Sequence, residues 1–477
     1  MNEQGKTAAV PAQLGEEIGG PGKAYFDNVV LDNILDALLE LSAATWTFHD
    51  RVNVLEKVLE KHGLNVSEEI EQHLPDEAEI AARAGRARGH GAACVRKFCP
   101  SARGRRIDAY RRSVMSRGQI GVLPRPTTLA DESYLEFITS FRRLAIQEMF
   151  PKVAEHGEAA LAKALDKGEV EQPAEGEAIK LSEIRKVFGQ NPVTPTFQRF
   201  VRTQQEMMWR RTRESFYRDI DAVMAYMDEA EARHPERIHI DPDFVEPDYT
   251  RREIHCQPGG YTDDPMGGIV FHYGTKVFYE GFNDQDELHI ELAEKATRPA
   301  DGKVERILDI GCSIGQATTV LKDLYPEAEV WGLDVGKPMI RYAHARAVEH
   351  GKEVHFKQAL AEETGFADGS FDMVLSYILF HEVPVPKMRE IIAETFRVLR
   401  PGGVFTIYEF PSNDKNQVSA STRFLVDYDS KNNCEPYSPA FVASDFRGII
   451  EEAGFMVEQG PGLTNGFLQS LVARKPG

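Results

Sequence analysis

From Arg306 onward, short apolar segments alternate with amphipathic ones, and this alternation limits the fold more than any other feature of the chain. RILDI, EVWGLD, EVHFKQ, FDMVLS and GVFTIY have the length and residue content of buried strands. Helical patterns separate them: one to about Leu324, one from about Lys337 to His350, and one from Met388 to Leu399. A further helix near Phe441 to Ala453 precedes FMVEQG and LQSLVA. Strands joined through a helix run the same way, so the segment predicts a parallel sheet covered by helices. The last strand follows its predecessor after a short link, Pro461 to Gly466, which permits an antiparallel return.

Two signals at the strand ends carry chemistry. The first strand ends in Asp309-Ile310-Gly311-Cys312-Ser313-Ile314-Gly315 and runs directly into a helix. Glycines there let backbone approach a ligand, and a helix N-terminus favours negative charge. The second strand ends in Asp334, 25 residues after Asp309, where an acid can accept hydrogen bonds from two ribose hydroxyls. Together they indicate an adenosine-type ligand. A nicotinamide dinucleotide site is the rival reading. Its G-x-G-x-x-G pattern differs from the glycine, serine and glycine found here at steps of two.

The ordered motifs ILDIGCSIGQAT, VWGLDVGKPMIRYA, FADGSFDMVLSYILFHEV and VLRPGGVFTIYEF resemble the class I S-adenosylmethionine (SAM)-dependent methyltransferases. The likeness is to the small-molecule type that includes ubiquinone and menaquinone biosynthesis enzymes, and it covers roughly Glu305 to Arg474. It implies an α/β fold: a Rossmann-like seven-stranded sheet with the last strand antiparallel, preceded here by a mostly α-helical region. It also implies SAM as cofactor, with Asp309, Gly311, Ser313 and Gly315 around its methionine part and Asp334 on its ribose. Val335 and Met339 would lie against the adenine, and Ser376 and Tyr377 would face the transfer site. Ser313 stands where the family has its middle glycine. Leu360 stands where an acid commonly bonds the adenine amino group, with Ala361 and Glu362 as the neighbours able to substitute.

Methyl transfer is an in-line displacement, so the protein mainly positions acceptor and methyl while excluding water. A base is needed only where the acceptor must lose a proton. His381, Glu382 and Tyr377 are the catalytic candidates, His381 because imidazole titrates near neutrality. The competing reading has His381 and Glu382 orient their loop or pack beside SAM. Acceptor-binding candidates are Glu409 after the fifth strand, Arg423 and Tyr428 in an insert at 412–440, and Tyr273 and Tyr279 upstream. HCQPGGY, at His255 to Tyr261, offers no third or fourth ligand, and no metal site is expected. The function expected is methylation of a small molecule at an O, N, S or C atom. The alternative is a non-catalytic SAM-binding sensor or scaffold.

A chain of 477 residues exceeds one hydrophobic core. Residues 1–20 read as a disordered tail, 21–240 as a helical region acting as a cap or in self-association, 241–300 as an irregular linker or lid, and 301–477 as the methyltransferase domain. The clearest helix, Phe26 to His62, carries a heptad stripe of Leu31, Ile34, Leu38, Leu41, Thr45, Phe48, Val52, Leu55 and Leu59. It suits a homo-oligomeric seam or a helix packed on its own domain. A second stripe, from Phe197 to Met227, has the Met and aromatic content of a core.

With 56 basic and 75 acidic residues the net charge is −19, which argues against nucleic-acid or membrane-surface partners. A basic island at 83–117 is the exception and receives no function. Five scattered cysteines and the lack of a basic, apolar leader predict a reduced cytoplasmic protein.

Overall fold

The computed structural model describes residues 29–64, 119–174, 178–412, 418–464 and 468–477. The N-terminal tail, the basic island, Cys94 and Cys99 lie outside these residues, as do residues 465–467 before the last strand. No helix among the described residues is long and apolar enough to cross a membrane.

The helical half begins with α1 (Val29–Lys61), which ends at Gly63 in a left-handed conformation. A two-residue hairpin, β1 (Gln119–Ile120) and β2 (Leu123–Pro124), precedes α2 (Leu129–Arg143). Thr128 caps α2 by accepting from the Asp131 amide. A π-helical turn, Leu144–Met149, then leads into α3 (Phe150–Asp166). The helices α4 (Leu181–Phe188), α5 (Val193–Tyr217) and α6 (Ile220–Arg233) follow. The second stripe therefore divides between two helices, because Asp219 leaves helical angles (φ −121°, ψ 33°). Its Phe197, Met207, Met208 and Phe216 are buried, as a core stripe requires.

The segment read as irregular holds two helices, α7 (Gly267–Phe278) and α8 (Glu287–Lys295). The prolines and aspartates that suggested irregular structure lie in the turns around them, whereas Gly267, Gly268 and Gly274 lie within α7. Gly274 lets α7 approach α5: a Cβ there would sit 2.4 Å from the Trp209 ring.

The C-terminal half alternates β4 (Arg306–Ile310), α9 (Gln316–Leu324), β5 (Glu329–Asp334), α10 (Lys337–Glu349), β6 (His355–Gln358) and β7 (Phe371–Tyr377). Then come α11 (Val385–Val398) and β8 (Leu399–Glu409). The insert supplies α12 (Ala420–Asn432), after which α13 (Ser438–Val442) and α14 (Phe446–Glu452) replace the single helix expected near Phe441. The strands β9 (Met456–Gln459) and β10 (Gln469–Arg474) close the chain.

With β3 (Ile238–His239) at one edge, the sheet order is β3-β6-β5-β4-β7-β8-β10-β9. From β3 to β8 the pairs are parallel, and β10 returns antiparallel against β8. The sheet thus has eight strands rather than seven. The addition is β3, from upstream of the domain, whose Ile238 and His239 pair with Phe356 and Lys357 and cover an otherwise open strand edge. His239 also stacks on Trp331, ring centroids 4.8 Å apart.

The insert belongs to the helical half in its packing. Phe424 of α12 stacks on Phe188 of α4 at 5.0 Å, and Arg185 pairs with Asp427. Tyr428 and Phe424 lie in one core with Phe197, Val201 and Leu161. The helices α2, α3, α5 and α12 therefore stand together over the sheet's C-terminal edge.

Candidate active site

A cavity of about 1030 Å³ lies beneath that roof. Its floor contains Asp309, Gly311, Ser313, Asp334 and Tyr377 from the strand ends, and its roof contains Arg142, Phe150, Phe197, Val201 and Leu425. Parallel strands deliver their C-terminal residues to one edge, which is why residues from β4, β5 and β7 converge there.

Asp309 is 2 % exposed and accepts from the Thr318 hydroxyl at 2.7 Å. Burial pushes its carboxyl up to about 7. Asp334 accepts from the Ser313 amide at 2.9 Å and the Gly336 amide at 2.8 Å, one to each oxygen. Burial raises it to about 6 even so. Each oxygen retains a lone pair for a ligand hydroxyl. The side-chain oxygen of Ser313 is buried without a hydrogen-bond partner, and so is Oε2 of Glu362. Glu362 Oε1 accepts from the Tyr249 hydroxyl at 2.6 Å and lies 3.3 Å from Lys387 Nζ. Acceptor-rich carboxylates, unpartnered polar atoms and a glycine turn fit the donor groups of SAM's ribose, adenine and ammonium.

Val335, Met339, Ala361 and Glu362 also line the cavity. Gly315 and Ser376 do not, contrary to the sequence expectation. Gly315 turns the chain into α9 at φ +73°, and a Cβ there would lie 2.6 Å from the Phe356 ring, so it serves helix packing. Ser376 points to the opposite side of β7 from Tyr377, because successive strand residues alternate, and its hydroxyl is buried without a partner.

The three catalytic candidates line the cavity. His381 Nδ1 lies 2.8 Å from Glu409 Oε1, and both residues are buried. Burial opposes the imidazolium, but the Glu409 carboxylate outweighs it and holds the pKa up to about 9. Tyr377 and Tyr279 join through their hydroxyls at 3.0 Å. Glu382 accepts from the Tyr261 hydroxyl at 3.2 Å and lies 3.6 Å from His255 Nε2.

Of the acceptor-binding candidates only Tyr279 reaches the cavity. Glu409 is withdrawn behind His381, with the Phe380 amide at 2.7 Å and the Phe410 amide at 2.8 Å on its oxygens. Tyr273 faces Phe216 inside the core, ring centroids 5.9 Å apart. Arg423 donates to the Ile179 carbonyl and Tyr428 to the Gln198 carbonyl, both spent on fixing α12 to the roof.

Sequence reasoning missed a polar group on the far wall. His255 Nδ1 lies 2.7 Å from Glu435 Oε1; burial opposes its charge, yet Glu435 and Glu382 raise it to about 10. Asp429 and Asn433 from the insert and Arg142 and Gln205 from the roof complete the group. The positive φ of His255 (58°) and Cys434 (57°) marks the two turns that bring it together, and sequence offers no glycine signal at either.

A family model described as "Methyltransferase domain" matches residues 307–403. An O-methyltransferase of Penicillium expansum is 28 % identical over 239 residues, 48 % of this chain and 79 % of that protein. A demethylmenaquinone methyltransferase of Thermus thermophilus is 38 % identical over 111 residues, covering 23 % of this chain and 50 % of that one. A ubiquinone/menaquinone biosynthesis C-methyltransferase of Methylobacterium nodulans is 31 % identical over 186 residues, covering 34 % and 69 %. The chain thus spans from half to about four fifths of the length of these relatives.

Proposed function

Because this chain belongs to the class I SAM-dependent methyltransferases, we propose that its cavity holds SAM and a small, largely apolar acceptor together, and that the helical half closes the acceptor's side. The observation that carries the proposal is continuity. One cavity is lined both by Asp309, Ser313 and Asp334 and by Ile146, Phe150 and Phe197 of the roof. When bound, SAM supplies an electrophilic methyl on a sulfonium.

The rest is done by this chain's own residues. Asp334 takes the ribose hydroxyls, Asp309 and Ser313 take the methionine part, and Val335 and Met339 flank the adenine. Ala361 and Glu362 replace the missing acid at Leu360, and the free Oε2 of Glu362 is the group available to the adenine amine. The roof excludes water from the transfer path. With its proton held to about 9, His381 is a hydrogen-bond donor at neutral pH and becomes a base only above that. Glu382 and the Tyr279–Tyr377 hydroxyl pair fix the loop and the acceptor's orientation. The apolar stripe on α1 is a seam between copies of the chain.

Incubating the protein with SAM and fractions of a metabolite extract tests the reading by release of S-adenosylhomocysteine. Release that depends on one fraction is expected. SAM binding without release on any fraction would instead favour a non-catalytic SAM-binding protein.

A further inference from the structure

The far wall of the cavity holds opposite charges that do not meet. Arg142, on α2, lies with its guanidinium 4.7 Å above the Phe278 ring, and its Nε reaches the Phe278 carbonyl at 3.4 Å. Its two terminal nitrogens have no hydrogen-bond or ion-pair partner among the described residues. Asp429, on α12, faces the same cavity, and its carboxylate also lacks a partner among them. Glu435 is 4 % exposed and lines the cavity as well. Its Oε1 holds His255, while its Oε2 is buried without a hydrogen bond.

Asp429 stands within electrostatic reach of both Arg142 and Glu435, yet forms no ion pair with Arg142. Burial raises the Asp429 carboxyl to about 7 despite Arg142, and an acid and a guanidinium facing one space would normally close on each other. Here they are anchored apart. Arg142 is fixed to α7 by its ring and carbonyl contacts, and α12 is fixed by Phe424 and Tyr428.

Acids outnumber bases in the group: Arg142, His255 and His381 face Glu280, Glu382, Glu409, Glu435 and Asp429. His255 and His381 are already paired with Glu435 and Glu409, which leaves Arg142 as the cation of the group without an ion pair among the described residues. A dipolar group suits the gap: an anion for Arg142 and a cation for Asp429 and Glu435. The adjoining walls, Ile146, Phe150, Phe197, Val201 and Phe278, are apolar.

Building on the methyltransferase reading, we propose that Arg142, Asp429 and Glu435 form a head-group subsite for a zwitterionic acceptor, an amino-carboxylate with an apolar or aromatic body. Arg142 takes the carboxylate with a two-pronged contact, and the two acids take the ammonium. The subsite is built by the helical half and the insert, apart from the strand ends assigned to SAM. The N-terminal helices are therefore the part of the molecule that selects the acceptor.

The test is calorimetry on protein saturated with S-adenosylhomocysteine, using L-phenylalanine, phenethylamine and 3-phenylpropanoate as probes. Saturation itself is measured first, and failure to bind S-adenosylhomocysteine overturns the methyltransferase reading and this proposal with it. Given saturation, L-phenylalanine is expected to bind about tenfold or more tightly than either half-molecule, the size of one lost charge-assisted contact. Arg142→Gln should reduce L-phenylalanine to the level of phenethylamine and leave phenethylamine unchanged. Asp429→Asn should reduce it toward 3-phenylpropanoate. Unchanged S-adenosylhomocysteine affinity certifies the fold of each variant, and the wild-type ranking stands without them. Half-molecules that bind as well as L-phenylalanine, or no binding of L-phenylalanine to the saturated protein, overturn the zwitterion subsite alone.

Discussion

Glu409 ends β8 with both oxygens engaged, one of them by His381 Nδ1 at 2.8 Å, and this arrangement sets the charge of the imidazole. Burial alone would lower the His381 pKa, and the rise to about 9 comes first from Glu409, with Glu435 and Glu382 adding to it. Glu409→Gln is therefore expected to drop that pKa well below 9, as read by NMR titration of the ring protons; a value still near 9 would refute the pairing. The linkage has a definite sign. A histidine raised in the fold contributes stability that is complete below its unfolded pKa and lost as pH climbs through about 9. Melting temperature in the wild type should fall across that window more steeply than in Glu409→Gln.

Asp334 behaves in the opposite sense, since burial raises an acid and protonation comes early. SAM affinity should weaken as pH drops through about 6, where the carboxylate loses its charge. Calorimetry from pH 5 to 8 checks this, and a flat profile would contradict the ribose assignment.

At the level of elements, α1 shows what a pattern can and cannot say. Its heptad stripe was legible as a helix face, but the structure packs the other face inward. Leu39 and Ala43 are buried, and Asp36 and Glu40 pair with Arg199 and Arg210 of α5. Leu41 and Phe48, on the stripe, are each 63 % exposed. Leu41→Glu with Leu55→Glu is expected to lower the mass seen in light scattering while leaving helicity unchanged; an unaltered mass would rule out the seam. A large side chain in place of Gly274 should push α7 off Trp209 and destabilise by about 1–3 kcal/mol, measurable by chemical denaturation.

The same distinction explains the site. Asp309, Ser313 and Asp334 were readable because each sits at the tip of a strand, where local sequence fixes position. In the insert no helix was read, so nothing told its inward face, and Arg423 and Tyr428 were chosen where Leu425 and Asp429 line the cavity. His255 and Glu435 lie 180 residues apart, and no local signal pairs them.

Over the whole molecule, two halves with different chemistry share one cavity. The sheet brings acids and a glycine turn to its C-terminal edge, and the helices bring apolar walls and the Arg142 guanidinium. The contacts that join them are buried and numerous. Gly274 lies against Trp209, Phe424 against Phe188, and Arg346 of α10 pairs with Asp286 at 2.8 Å beside the cavity. The helical half thus lines the same cavity as the strand ends. The most direct measurement is calorimetric titration of SAM into the wild type and into Asp334→Ala, with melting curves run in parallel. The account predicts saturable, one-to-one binding to the wild type and none to the variant, whose melting transition remains cooperative. Equal affinity for the two proteins, or no binding to the wild type, would contradict it.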